Sequence, residues 1–160
     1  MKKMTFLAIL IAALTTTRAQ VSLSLPFGIS TLKAPTVGLN LQARVRGVIL
    51  AAGFDNQISR DIMKGNLLWT RVGAAFNLSD LNALEISAGA AQHRRSSDIK
   101  SLNEGLALVN VQYVHQMASR PEAALFASIT ATQKFAIFAG GLRFIFGKNG
   151  GNGCPSKRIR

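Results

Sequence analysis

The densest grouping of reactive side chains is His93-Arg94-Arg95-Ser96-Ser97-Asp98, a base, two hydroxyls and a carboxylate in one short stretch. These types can carry nucleophilic acyl transfer, with a serine attacking, histidine taking its proton and aspartate orienting the ring. A triad is defined by geometry, and neighbours along one loop seldom converge on a single reacting atom. The stretch is therefore expected to be a solvated loop, with no catalytic residue in it. Arg94 and Arg95 retain one capability, since their guanidinium forks match phosphate oxygens. Metal chemistry has little to work with. The chain holds two histidines, His93 and His115, and one cysteine, Cys154, so neither a Cys-built zinc site nor an intrachain disulfide can form. No phosphate-binding Gly-rich loop or nucleotide fingerprint occurs, and no cofactor is expected.

A second set of chemically capable residues is scattered: Gln42, Arg44, Arg71, Glu85, Asn110, Gln112 and Arg143. Their grouping depends on the elements that carry them. Those elements begin after an apparent address. Lys2 and Lys3 precede an apolar run from Phe6 to Leu14, followed by Thr17, Arg18 and Ala19. This is the n-region, h-region and small-residue exit of a secretory signal peptide, expected to be cleaved after Ala19. The apolar run is too short for the roughly 20 residues that span a bilayer as a helix. With 48% hydrophobic and 16% charged residues in 160, the chain is one folded domain and not a disordered polymer. Its net charge of +12 is spread one or two residues at a time, which does not make a nucleic-acid patch, and no nucleic-acid partner is expected.

Beyond residue 20 the recurring feature is period-two alternation in segments of about ten residues. It is clearest in 36–45, where Val37, Leu39, Leu41, Ala43 and Val45 oppose Gly38, Asn40, Gln42 and Arg44. The same pattern predicts strands at 21–27, 48–55, 68–78, 82–93, 105–115, 123–131 and 135–146, with 123–131 readable either way round. Short turns are expected at 46–47, 79–81 and 118–121, and longer loops at 28–35, 56–67 and 94–104. Eight strands joined alternately by tight turns and longer loops form an up-and-down meander that closes into a barrel. In that arrangement His93 and His115 end oppositely directed strands, so a shared metal site is not expected.

A barrel of this kind is either a soluble cup, apolar inside, or a membrane barrel, apolar outside. The face opposite the large apolar residues carries the scattered polar set, but also Gly38, Gly53, Gly73, Ala75, Gly89, Ala91 and Gly141, and little of the Lys and Glu that coat a soluble protein. A narrow lumen needs small residues between a few polar ones. The expectation is therefore an all-β, eight-stranded antiparallel up-and-down transmembrane β-barrel. Its lumen would be filled by a network of Arg44, Arg71, Glu85, Arg143, Gln42, Asn110 and Gln112, with Glu85 as counter-ion to the arginines. Phe27, Phe54, Phe76, Tyr113, Phe144 and Phe146 fall near strand ends, where an interfacial girdle would lie.

In this pattern, and in the closing run Gly140-Gly141-Leu142-Arg143-Phe144-Ile145-Phe146, the chain resembles the small bacterial outer-membrane barrels of the OmpA-type membrane-domain family. The resemblance implies an outer-membrane location in the bacterial cell envelope and a non-enzymatic structural or surface-interaction role. It also implies outer-membrane lipid as surroundings and lipopolysaccharide phosphates as partners for Arg94 and Arg95. Two alternatives stand beside it: a lipid A-modifying enzyme using His93 and Ser96, and a soluble lipocalin-like barrel binding an apolar ligand. The expected organisation is a signal peptide at 1–19, a barrel at 20–147 and a basic, Gly-rich periplasmic tail at 148–160. That tail is expected to be disordered, free to touch peptidoglycan or a periplasmic partner, and to expose Cys154 for an intermolecular disulfide.

Overall fold

The computed structural model describes residues 19–58, 64–96 and 101–146. Eight strands follow in chain order: β1 (Gln20–Ser30), β2 (Pro35–Val45), β3 (Val48–Gln57), β4 (Lys64–Asn77), β5 (Asn82–Ser96), β6 (Ser101–Met117), β7 (Arg120–Thr132) and β8 (Ala136–Phe146). Each pairs antiparallel with its sequence neighbours, and β1 pairs with β8 from Val21↔Phe146 to Ser30↔Ile137, closing the barrel. Closure leaves no full-length edge strand, which is what backbone N–H and C=O groups require away from water.

Side chains alternate across the sheet, and the polarity is inverted relative to a soluble protein. Leu25, Phe27, Leu41, Leu50, Leu68, Val72, Val109, Leu125, Phe138 and Leu142 are all exposed on the outer face. Ser24, Gln42, Arg71, Glu85, Ser87, Asn110, Gln112 and Arg143 are buried inside. An apolar belt that runs round the whole barrel far exceeds the few hundred Å² that water-soluble monomers tolerate. Lipid chains are the solvent such a surface fits.

Both β1 and β8 terminate at the end where the connections are 46–47, 78–81 and 118–119, here termed the turn end. The β2–β3 turn is a two-residue hairpin in which Arg46 (φ 50°) and Gly47 (φ 87°) both adopt positive φ, the twist that matches paired strands. At the opposite, loop end, the connections are 31–34, 58–63, 97–100 and 133–135. The long loops expected at 28–35, 56–67 and 94–104 are therefore strand over half or more of their length. Backbone pairing continues after the outward face turns polar, at Asn66, Gln92, Arg94 and Asn103, so alternation of apolar residues underestimates strand length. β5 and β6 reach farthest, to Ser96↔Ser101, whereas β6 pairs with β7 only from Leu108↔Thr132.

Two local irregularities have sequence causes. The β1–β2 ladder passes from Ser24↔Asn40 to Phe27↔Val37 without pairing at Pro26, which has no N–H to give. The β6–β7 register shifts at Gln116/Met117, leaving Ala123 and Ala124 both buried. Beyond that shift Leu125, Ala127, Ile129 and Ala131 face outward, while Phe126, Ser128 and Thr130 face the lumen. Large apolar side chains fall on both faces, Leu125 outward and Phe126 inward, which is why 123–131 reads ambiguously from sequence.

Candidate functional site: the lumen

Alternation turns one residue in two toward the axis, so the lumen is assembled from all eight strands. Its turn-end half is organised by one carboxylate. Arg143 on β8 meets Glu85 on β5 through two contacts, Nη1–Oε1 at 2.8 Å and Nη2–Oε2 at 2.9 Å, with both side chains almost fully buried. Gln42 on β2 donates Nε2 to both Glu85 oxygens, at 3.1 and 3.2 Å, and its Oε1 accepts from Arg143 Nη2 at 3.3 Å. Arg143 Nε donates to Ser24 Oγ on β1 at 3.3 Å, and the Phe126 ring lies 6.0 Å from the guanidinium. This cross-brace ties strands that are not neighbours in the sheet. A bidentate, hydrogen-bonded pair is the arrangement that makes burial of two charges tolerable.

The remaining members of the expected network occupy separate places. Arg71 on β4 donates Nη2 to Gln112 Oε1 at a long 3.4 Å, and its guanidinium carbon lies 4.3 Å from the centre of the Trp69 ring. Arg44 stands nearer the turn end and donates Nη2 to Asn77 Oδ1 at 2.8 Å. Asn110 does not join the charged groups. Its Nδ2 donates to Thr130 Oγ1 at 2.9 Å, across the β6–β7 seam. The polar set is thus one tight cluster of Glu85, Arg143 and Gln42 with satellites around it.

Toward the loop end the filling changes. Leu67, Trp69, Ala91, Leu106, Leu108, Phe135 and Ile137 form a buried apolar cluster inside the barrel, extended down β3 by Ala51 and Ile49. Within it Trp69 Nε1 donates to Asp55 Oδ2 at 2.7 Å, so the indole's one polar atom is satisfied by a buried acid. Gly53 and Gly38 make room for this pair: a Cβ at Gly53 would overlap the Trp69 ring, and one at Gly38 would overlap the Asp55 carboxylate. His93 is buried here, its ring 5.0 Å from that of Phe135. Trp69, Asp55 and Phe135 have no place in the network expected from sequence. Each shares parity with a residue of the expected lumen face, Trp69 with Arg71, Asp55 with Gly53 and Phe135 with Arg143, but parity alone does not say that they meet.

His115 lies at the turn end, on the outer face, where its Nδ1 and the Tyr113 hydroxyl both contact Asn82 Oδ1, at 2.8 and 2.6 Å. Arg94 is exposed at the loop end of β5. The expected signal peptide up to Arg18, the side chains of Arg95 and Ser96, residues Ser97 and Asp98, and the expected tail with Cys154 lie outside the described residues.

No protein-family model matches the chain, and no curated protein matches it. Solved structures do. The N-terminal β-barrel domain of OprF from Pseudomonas aeruginosa is similar at 18% identity and TM-score 0.65, over 81% of this chain and 98% of that one. The outer membrane protein Ail of Yersinia pestis, in a phospholipid bilayer nanodisc, is similar at 16% identity and TM-score 0.56, over 80% and 99%. A de novo designed transmembrane β-barrel is similar at 15% identity and TM-score 0.63, over 79% and 95%. What these share with the chain is the fold of an eight-stranded transmembrane β-barrel. A designed barrel stands among them, so the likeness follows architecture and not any one activity.

Proposed function

We propose that the protein is a non-enzymatic barrel of the bacterial outer membrane, with a lumen closed by its own side chains and a structural or surface-interaction role in the envelope. The observation that supports this most directly is the inverted polarity: leucines, valines and phenylalanines outside, and the Arg143–Glu85–Gln42 brace inside. Outer-membrane lipid would cover the apolar belt, and Tyr113 near the turn end would sit at headgroup depth. Arg94, with Arg95, would meet lipopolysaccharide phosphates at the loop end. The basic tail beyond residue 147 would lie in the periplasm, within reach of peptidoglycan.

Burial of His93 favours the non-enzymatic reading over lipid A modification. Its ring is 1% exposed and packs on Phe135 inside the barrel, where the ester or phosphate of a lipid in the outer leaflet has no approach. The soluble-cup alternative requires an apolar interior able to admit a ligand, and here Trp69, Leu67 and Phe135 already fill it. The test is refolding of residues 20–160 into detergent micelles and liposomes. The expected result is a folded band whose mobility changes on boiling, and liposomes that retain a small entrapped dye. Solubility in plain buffer without detergent would overturn the membrane assignment, and rapid dye release would overturn the closed lumen.

A further inference from the structure

We infer that the lumen binds one halide-sized monovalent anion beside Arg71, between the charged brace and the apolar cluster. Arg71 is buried on β4, and among the described residues no carboxylate forms an ion pair with it. Its contacts are thin for a buried charge. Nη2 reaches Gln112 Oε1 at 3.4 Å, the guanidinium carbon rests 4.3 Å from the centre of the Trp69 ring, and Nε has no acceptor. Gln112 is 2% exposed, and its Nε2 has no acceptor either. Two buried donors, one of them on a cation, are thus left unsatisfied where guanidinium and amide meet, at the full desolvation cost of each.

The acids that could neutralise Arg71 are committed elsewhere. Glu85 gives both oxygens to Arg143 and Gln42, while Asp55 accepts from Trp69 through Oδ2 and turns Oδ1 toward Gly38. Three guanidiniums, Arg44, Arg71 and Arg143, therefore share two lumen carboxylates. Asn40 Oδ1 is also buried without a donor, so a water shared with it is the competing occupant. Water would satisfy a donor and leave the charge, whereas an anion answers both. The carboxylates also set the valence: Glu85 and Asp55 both act electrostatically on Arg71 and would repel a doubly charged ion, while one negative charge balances the set. Gln112 pairs with Glu85 across the β5–β6 ladder, and Glu85 lines a small pocket at the turn end with Arg44 and Arg143. A basic mouth of that kind draws anions, and the brace behind it favours a small one.

The site carries its own reporter, because Trp69 is the single tryptophan of the chain. The protein is expressed as the full chain, purified from the membrane fraction, unfolded in urea and refolded into non-ionic detergent micelles in sodium gluconate, so that no halide is carried in. Sodium bromide is then added at constant ionic strength. The expected result is a loss of Trp69 emission that saturates and is reversed by chloride, with a thermal midpoint that rises with chloride concentration. Arg71→Met should keep the heat-modifiable band and lose the saturable response. Gln112→Met should keep the band and need roughly tenfold more bromide for half-saturation. Emission that falls only in proportion to bromide, with no effect of chloride on the midpoint, would overturn the inference and leave water as the occupant. A saturable response retained by both variants would place the ion elsewhere and overturn the assignment to Arg71. Should Arg71→Met fail to fold, the chloride reversal and the Gln112→Met shift decide between these outcomes.

Discussion

The two halves of the lumen solve one packing problem by different physics. At the turn end three strands contribute Glu85, Arg143 and Gln42, and the space is held by charge-assisted hydrogen bonds between strands that do not touch in the sheet. Toward the loop end Leu67, Leu106, Leu108, Phe135 and Ile137 hold it by contact, with the hydrogen bond between Trp69 and Asp55 set among them. Directed bonds fix which strand faces which, but fail badly when one partner is lost. Apolar packing loses stability in proportion to the atoms removed. A barrel whose outside is already apolar draws no net hydrophobic gain from its lipid face, so its interior must supply much of what distinguishes the closed ring from other pairings.

Glu85→Ala would strike the comparison hardest. It strands a buried guanidinium, and unfolding in micelles by guanidinium or urea titration should show a loss of about 3–5 kcal/mol. Replacing both members, Glu85→Leu with Arg143→Met, should recover most of that loss, because no charge is then left unpaired. If the double variant is as unstable as the single one, the half is held by shape and not by charge. In the loop-end half, Leu67→Ala should lower stability by about 3 kcal/mol under the same titration, with no sensitivity to salt. A markedly smaller value would mean that the apolar cluster collapses onto the gap. The least effect is expected at the rim, where Lys134 Nζ meets Glu104 at 2.7 Å with side chains 48% and 24% exposed. Lys134→Ala should cost less than about 1 kcal/mol, and that little should vanish in high salt.

The polar half was legible before any coordinates because a charged or amide side chain on a strand otherwise built of Val, Leu and Ala announces its face. Arg143 between Leu142 and Phe144, and Glu85 between Leu84 and Ile86, could only point inward if the outside was lipid. Asn110 obeyed the same parity, yet bonds to Thr130 on the adjacent strand, because parity gives a face but not a height or a partner. The apolar half left a weaker mark. Leu106 and Leu108 alternate with Ala107 and Val109, so both faces of β6 read as apolar there; parity with Asn110 and Gln112 gives Leu108 its face, but not the residues it packs on. The expected loops were too long for a related reason: Gln92, Arg94 and Asn103 are polar on the outward face, yet their backbones remain in the ladder.

The amino-acid sequence by itself determined the strand count, the direction of alternation and the inversion of inside and outside, since each depends only on side-chain polarity repeating at the two-residue period of a pleated chain. The tertiary structure alone decided which inward residues meet. Closure of β1 on β8, the register shift at Gln116/Met117 and the glycines beneath Trp69 and Asp55 set the axial height of every lumen side chain. Those heights are relations between strands distant in sequence, and no local period encodes them.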